Sequence, residues 1–327
     1  MSDIKQASVH ARKQRAVSQV VVIAIVALAF VISNLFVGGK LLTTTNILNI
    51  LSHAIYPAIV AWGMMFIFSS GIVDLSIGAT IILSAGVGAL LVTDYGLGYP
   101  GLIIVTIAVA VACEMLSVSC AVYLKIPSWI AGLGLALGYE AIWSIFATAR
   151  SKTAGSNLVY LKEARALGKE PLIYIVAILV FIAAYLLFNR SSLGLNIQAI
   201  GGNSWVAKAM GICEKKNVML GALVGAVFIG IAAIVQVSYV GKFAPQSGLG
   251  SLSGIFKALA TVLLAGSVSR IFSQPVGILL GAIVVMGLFN VLTIMGVPSG
   301  TGQEICLGVT VIVCGILSNL HNRRVVK

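Results

Sequence analysis

Between Ala16 and residue 320 the chain is an almost continuous series of apolar runs. Each is about as long as the ~20 residues a helix needs to cross a bilayer. The first extends from roughly Ala16 to Gly38, and others lie near residues 54–70, 75–93, 100–124, 128–148, 171–189, 218–240, 254–269, 274–296 and 302–320. Together they predict about ten membrane spans. Lipid satisfies no backbone hydrogen bond, so each run must be helical or enclosed by protein. The fold class that follows is an all-α polytopic membrane protein. Glycines interrupt the runs near 54–93 and 254–296, where broken or re-entrant helices are expected.

Composition agrees: 59% of the residues are hydrophobic and 9% charged, against about 25% charged in soluble domains. The net charge of +12 comes from basic residues set between apolar runs. That placement fits lipid headgroups and membrane topology, and no nucleic-acid partner is expected. The five cysteines (Cys113, Cys120, Cys213, Cys306, Cys314) show no C-x-x-C spacing, and His10, His53 and His321 are scattered. No metal site is expected. The first run is too long for a signal peptide and reads as a retained helix. The expected organisation is a cytoplasmic segment at 1–15, a membrane domain at 16–320 with a cytoplasmic segment at 190–217, and a tail at 321–327.

Lysine and arginine set the orientation. Lys5, Arg12, Lys13 and Arg15 precede the first run, and Arg323, Arg324 and Lys327 follow the last. An even number of spans puts both termini on one side, and the positive-inside rule makes that side cytoplasmic. The same threading puts residues 149–171 outside, although they carry five basic and two acidic residues.

Several catalytic motifs are missing: there is no G-x-x-x-x-G-K-[ST], no G-x-S-x-G and no H-E-x-x-H. The chain is therefore not read as an enzyme. Ionisable residues inside apolar runs need a reason, because a carboxylate near mid-membrane costs roughly 2.5–3.5 kcal/mol. Glu114 and Glu140 lie within runs, Glu304 begins the last, and Lys257 follows Gln236, Ser238, Tyr239 and Gln246. Either these residues line a polar path or they pair structurally. Asp74, in SSGIVDLSIG, stands where the backbone can turn sharply and either caps the next helix or faces the path. Small-xxx-small pairs at Gly134/Gly138, Gly221/Gly225 and Gly277/Gly281 allow close helix approach.

The most distinctive stretch is NIQAIGGNSWVAKAMGICEKKN, residues 196–217. Gly201 and Gly202 permit a turn, Asn203 or Ser204 can cap a short helix, and Gly211 can stop it. Trp205, Val206, Ala209 and Met210 fall on one face of that helix. Two isolated turns are unstable in water, so the face must lie against something. It is either a membrane interface or the groove of a cytoplasmic partner.

Three segments carry a resemblance to the permease subunits of sugar-type ABC importers, which handle ribose, galactose, arabinose or xylose. TTTNILNILSHAIYPAIVAWGMMFIFSSGIVDLSIGA is similar to the family stretch ending Gly-Gly-Ile-Asp-Leu-Ser-Val-Gly, with one residue inserted and Ser70 in place of a glycine. SSLGLNIQAIGGNSWVAKAMGI resembles the family's Ala-(Ile/Leu)-Gly-Gly-Asn segment, and KALATVLLAGSVSRIFSQPVGILLGAIVVMGLFNVLTIMGV resembles its last third. The likeness covers about residues 43–320. It implies about ten spans in the bacterial inner membrane, a second permease protomer, alike or unlike, and a secreted substrate-binding protein. It also implies a separate ATPase subunit that carries ATP and Mg, so that this chain binds no cofactor. Coupling to the ATPase would fall on Gly201, Gly202, Asn203, Trp205, Val206, Ala207, Met210 and Gly211. Candidates for the path of a small polar solute are Asp74, Glu114, Glu140, Gln236, Tyr239, Lys257 and Glu304. The chain departs from the family at Ile255 and Lys257, which stand where an acidic pair is usual, and at Arg270–Pro275, which replaces a glycine-rich loop. These departures point away from an ordinary pentose or hexose. The alternative is an ion-coupled secondary transporter using Glu114, Glu140 or Lys257.

Overall fold

The computed structural model describes residues 2–161, 163–298 and 300–322. Arg323, Arg324 and Lys327, and with them most of the expected tail, lie outside the described residues, as do the side chains of Lys5, Arg12, Lys13 and Arg15. In chain order the helices are α1 (Ser2–Phe36), α2 (Thr44–Phe68), α3 (Ile77–Tyr95), α4 (Gly98–Tyr123), α5 (Ser128–Ala154) and α6 (Leu172–Asn189). Then follow α7 (Ser192–Gly202), α8 (Ser204–Ala209), α9 (Glu214–Val240), α10 (Leu252–Ser267), α11 (Gln274–Ile294) and α12 (Thr301–Asn322). Among the described residues eight helices are long and apolar enough to cross a membrane; the apolar stretches of α10 and α12 are shorter. Every predicted run therefore has a helix at its place. α2 starts about ten residues earlier than its apolar run, because Thr44, Asn46 and Asn49 join the helix despite their polarity.

The chain forms two compact units, residues 1–54 with 260–327, and residues 55–259. In the first unit, Ala260, Val285, Phe289 and Leu307 form one apolar cluster. Val37, Leu41 and Ile50 form another, covered by Phe30, Ile283 and Met286. Gly277 and Gly281 of α11 let α10 approach: a side chain there would start 3.3 Å from Ala265 and 3.2 Å from the Thr261 carbonyl.

In the second unit α2, α6 and α9 meet through aromatic rings, with Phe66 5.5 Å from Phe188 and 5.6 Å from Phe228. Gly63 and Gly225 allow this closeness, since a Cβ on Gly225 would stand 2.8 Å from the Gly63 carbonyl. Gly134 and Gly138 have no neighbour among the described residues within 4 Å of where a Cβ would sit, so the pair does not serve close helix packing there.

The two ends of this unit differ. At one end the α2 C-terminus, the α5 N-terminus and α7–α8 come together. Ser128 Oγ accepts from Val73 N, and Lys215 lies 5.6 Å from the Tyr123 ring centroid. At the other end residues 155–161 and 163–171 fold back over α9. Val159–Tyr160 (β1) pairs antiparallel with Lys242–Phe243 (β2), and Arg165 donates to the Ser238 and Tyr239 carbonyls. Arg150 forks onto Asp94 at 2.8 Å and also reaches the Leu158 carbonyl. The basic loop at 149–171 thus lies at the end opposite α7–α8.

Candidate functional site: a capped foot and a polar pocket

α7 begins with a side-chain cap: Ser191 Oγ accepts from Gly194 N at 3.1 Å. Gln198 ties it back to α6 by donating to the Phe188 carbonyl, and Asn196 donates to Asn217 at the start of α9. Its buried face is Gly194, Ile197 and Ile200. Gly201 is the last point of contact: a Cβ there would collide with the Ser69 carbonyl at the break after α2. The sequence reading put the turn at Gly201–Gly202. Instead both glycines finish α7, and the chain turns at Asn203, whose backbone is extended (φ −162°, ψ 104°).

Asn203 then caps α8, its Oδ1 accepting from Trp205 N and Val206 N at 3.1 Å each. The helix stops at Gly211, which takes a left-handed φ of 83°. Ile212 N closes it by donating to the Ala207 carbonyl. Ala207 is buried, while Trp205 is 84%, Met210 75% and Val206 54% exposed. The result is a short foot, anchored by α7, that presents an indole, a thioether and an isopropyl group outward.

The second feature is a pocket of about 400 Å³. Its polar lining is Tyr56 of α2, Gln236 of α9, Lys242, Gln246 and Ser251 of the 241–251 loop, and Ser253 of α10. Glu140, buried in α5, builds its wall: Oε1 accepts from Ser251 N at 2.8 Å and Oε2 from Leu249 N at 3.0 Å. These bonds end the loop and fix the start of α10. Gly78 of α3 packs so tightly on the Ser251 carbonyl that no side chain fits. The Ser251 hydroxyl is buried among the lining groups, without a hydrogen-bond partner among the described residues.

The remaining sequence candidates fall elsewhere. Asp74 is buried in the break between α2 and α3, its Oδ1 accepting from Ser76 N at 2.7 Å just before α3 begins. Glu114 of α4 is buried and interacts with Asp74 and Thr80. Tyr239 sits at the end of α9, where its carbonyl serves Arg165. Lys257 is half-buried on α10 beyond the pocket lining, and Glu304 is exposed in the first turn of α12. Tyr56, Lys242 and Ser251 were not singled out in the sequence. Lys242 and Ser251 reach the pocket through the return of the 241–251 loop, which no periodicity announces.

Residues 46–316 match the family described as branched-chain amino acid transport system / permease component. The chain belongs to that family. Among its relatives are permeases whose names describe import or transport. The ribose import permease protein RbsC of Escherichia coli K12 is 28% identical, covering 85% of this chain and 86% of its own length. The xylose transport system permease protein XylH of Haemophilus influenzae is 25% identical, with 88% and 93% covered. The autoinducer 2 import system permease protein LsrC of an Enterobacter strain is 28% identical, with 74% and 69% covered. No solved structure matches the chain. Members of the family are permease components, and this one is a multi-pass protein of the bacterial inner membrane.

Proposed function

We propose that this permease is the membrane-spanning subunit of an ABC importer for a hydroxylated solute, and that α8 is the contact through which a separate ATPase subunit drives it. The observation that carries this reading is the exposure of Trp205, Val206 and Met210 on a helix capped at both ends. Large apolar groups held rigidly outward resemble the aromatic anchors of protein interfaces more than a lipid-facing surface. Lys208, Lys215 and Lys216 lie close to them in the sequence, which favours the cytoplasmic side. Two crossings, α1 and α2, bring the chain from its basic N-terminal segment to the same side. ATP and Mg are held by the partner, in keeping with the missing phosphate-binding loop.

The pocket at the other end supplies the solute contact. Two amides, a phenol and two serine hydroxyls both donate and accept, which suits a small polyhydroxylated molecule. A secreted binding protein would deliver that solute to the end capped by β1–β2, and a second permease protomer would complete the path. The names of the relatives, ribose and xylose permeases among them, support the sugar class.

The test is co-purification and transport. Trp205→Glu with Met210→Glu should abolish ATPase association while membrane insertion and thermal stability stay unchanged, because both side chains are solvent-facing. Intact association would reject the foot as the docking element. Substrate entry into vesicles without any ATPase subunit would reject the ABC reading altogether.

A further inference from the structure

The amides, phenol and hydroxyls of the pocket suit a neutral solute and leave Lys242 without a role. It is the charged side chain of the lining, and no aspartate or glutamate stands beside it there among the described residues. Glu140, the acid behind the wall, is buried and turns its two oxygens to the Leu249 and Ser251 amides.

The backbone at Lys242 is held from both sides. Gly241 ends α9 with a left-handed φ of 69°, and its N–H donates to the Val237 carbonyl. The Gly241 carbonyl accepts from Leu161 N at 3.0 Å. Tyr160 pairs with Lys242 across β1–β2, and Phe243 anchors the next position by being buried. Deeper in the pocket, the Ser251 hydroxyl is enclosed and lacks a hydrogen-bond partner among the described residues. A buried hydroxyl in that state calls for a ligand.

The surroundings carry the same sign. Arg165 lies against Gly241 and gives its guanidinium to the Ser238 and Tyr239 carbonyls, not to an acid. Residues 149–171, at the same end, hold five basic against two acidic residues. On an outward face that excess runs against the positive-inside rule, and it raises the local concentration of anions. Lys257, four residues after Ser253, lies on the same side of α10 one turn beyond the lining. A dianionic phosphate ester would need a second cation in the lining, whereas one ammonium among neutral donors balances a single charge.

We propose that Lys242 makes the pocket selective for a polyhydroxylated carboxylate, a sugar acid, over the corresponding neutral polyol. The inference rests on the reading of this pocket as the solute contact. Lys242 takes the carboxylate, and the neutral lining groups, Ser251 among them, take the hydroxyls.

The full-length chain in nanodiscs can be unfolded by heat with D-gluconate, D-galactonate or D-ribonate, each against D-glucitol, galactitol or ribitol at constant ionic strength. The acids should bind about ten-fold more tightly, the lower end for a hydrogen bond to a charged group because Lys242 is exposed. Lys242→Gln should erase that difference and Lys242→Arg should keep it. Ser251→Ala should weaken acids and polyols alike without lowering the melting temperature. A second readout needs no solute: Ser253→Cys should react faster with an anionic than with a cationic methanethiosulfonate, and adding Lys242→Gln should reduce that ratio. Equal binding of acids and polyols, or a reagent ratio indifferent to Lys242, would overturn the charge selection while leaving the pocket as the solute contact. Binding of neither class would overturn both. Displacement of gluconate by equal acetate or sulfate, or tighter binding of glucose 6-phosphate, would also overturn the proposal.

Discussion

Removing the Glu140 carboxylate should open one wall of the pocket without unfolding the protein. Its two oxygens accept from Ser251 N at 2.8 Å and Leu249 N at 3.0 Å, and Ser251 is buried. A hydrogen bond to a charged group contributes about 1.5–3 kcal/mol, and a buried donor left unpaired costs a comparable amount. Leu249 also holds a positive φ of 65°, a conformation that a branched residue keeps only when its surroundings demand it. Glu140→Ala should therefore lower the local opening free energy at Ser251 by about 2 kcal/mol, roughly thirty-fold in amide exchange protection. Glu140→Gln should fall between, since its amide offers one acceptor where two are needed. Hydrogen–deuterium exchange on protein in nanodiscs can resolve residues 249–256 from the centre of α9. Exchange should accelerate there and stay slow at Ala226–Val235, and solute transport should fall while ATPase association persists. Unchanged protection at 249–251 in Glu140→Ala would refute the account of how the pocket is built.

Other consequences follow from the same geometry. Asn203→Ala removes the cap of α8, costs about 1 kcal/mol locally, and should weaken ATPase co-purification several-fold without lowering the melting temperature. Gly225→Val would force α9 away from the Gly63 carbonyl and should destabilise by about 1–3 kcal/mol, whereas Gly138→Ala, with open space around it, should be close to neutral in thermal unfolding. Arg150→Ala breaks the fork onto Asp94 and the contact to Leu158; because the pair is partly exposed the cost should be about 1 kcal/mol, read as faster proteolysis of residues 155–171.

The sequence made the helices legible because their signal is local. An apolar run of membrane length fixes its own backbone bonding, and each one corresponds to a helix. The cap at Asn203 and the stop at Gly211 were equally local and could be read directly. Gly201 was harder: a glycine pair suggests a turn, and only the neighbouring Ser69 carbonyl shows that the missing side chain makes room. The buried acids stood out as expensive, yet their partners came from other helices. Glu140 serves the 241–251 loop more than a hundred residues later in the chain, and Glu114 of α4 interacts with Asp74 in the break between α2 and α3. Tyr56 and Ser251 gave no signal, since a tyrosine in an apolar helix and a serine in a loop are ordinary until the fold sets them around one cavity.

The proposed role of α8 requires the foot to be cytosolic and to seat in the ATPase. A Met210→Cys variant, made with Cys213→Ser because Cys213 is exposed, can be treated with a membrane-impermeant maleimide in inverted and right-side-out vesicles. Labelling should occur in the inverted vesicles alone and should decline when the ATPase subunit is added. Labelling of right-side-out vesicles, or labelling indifferent to the ATPase, would contradict the account.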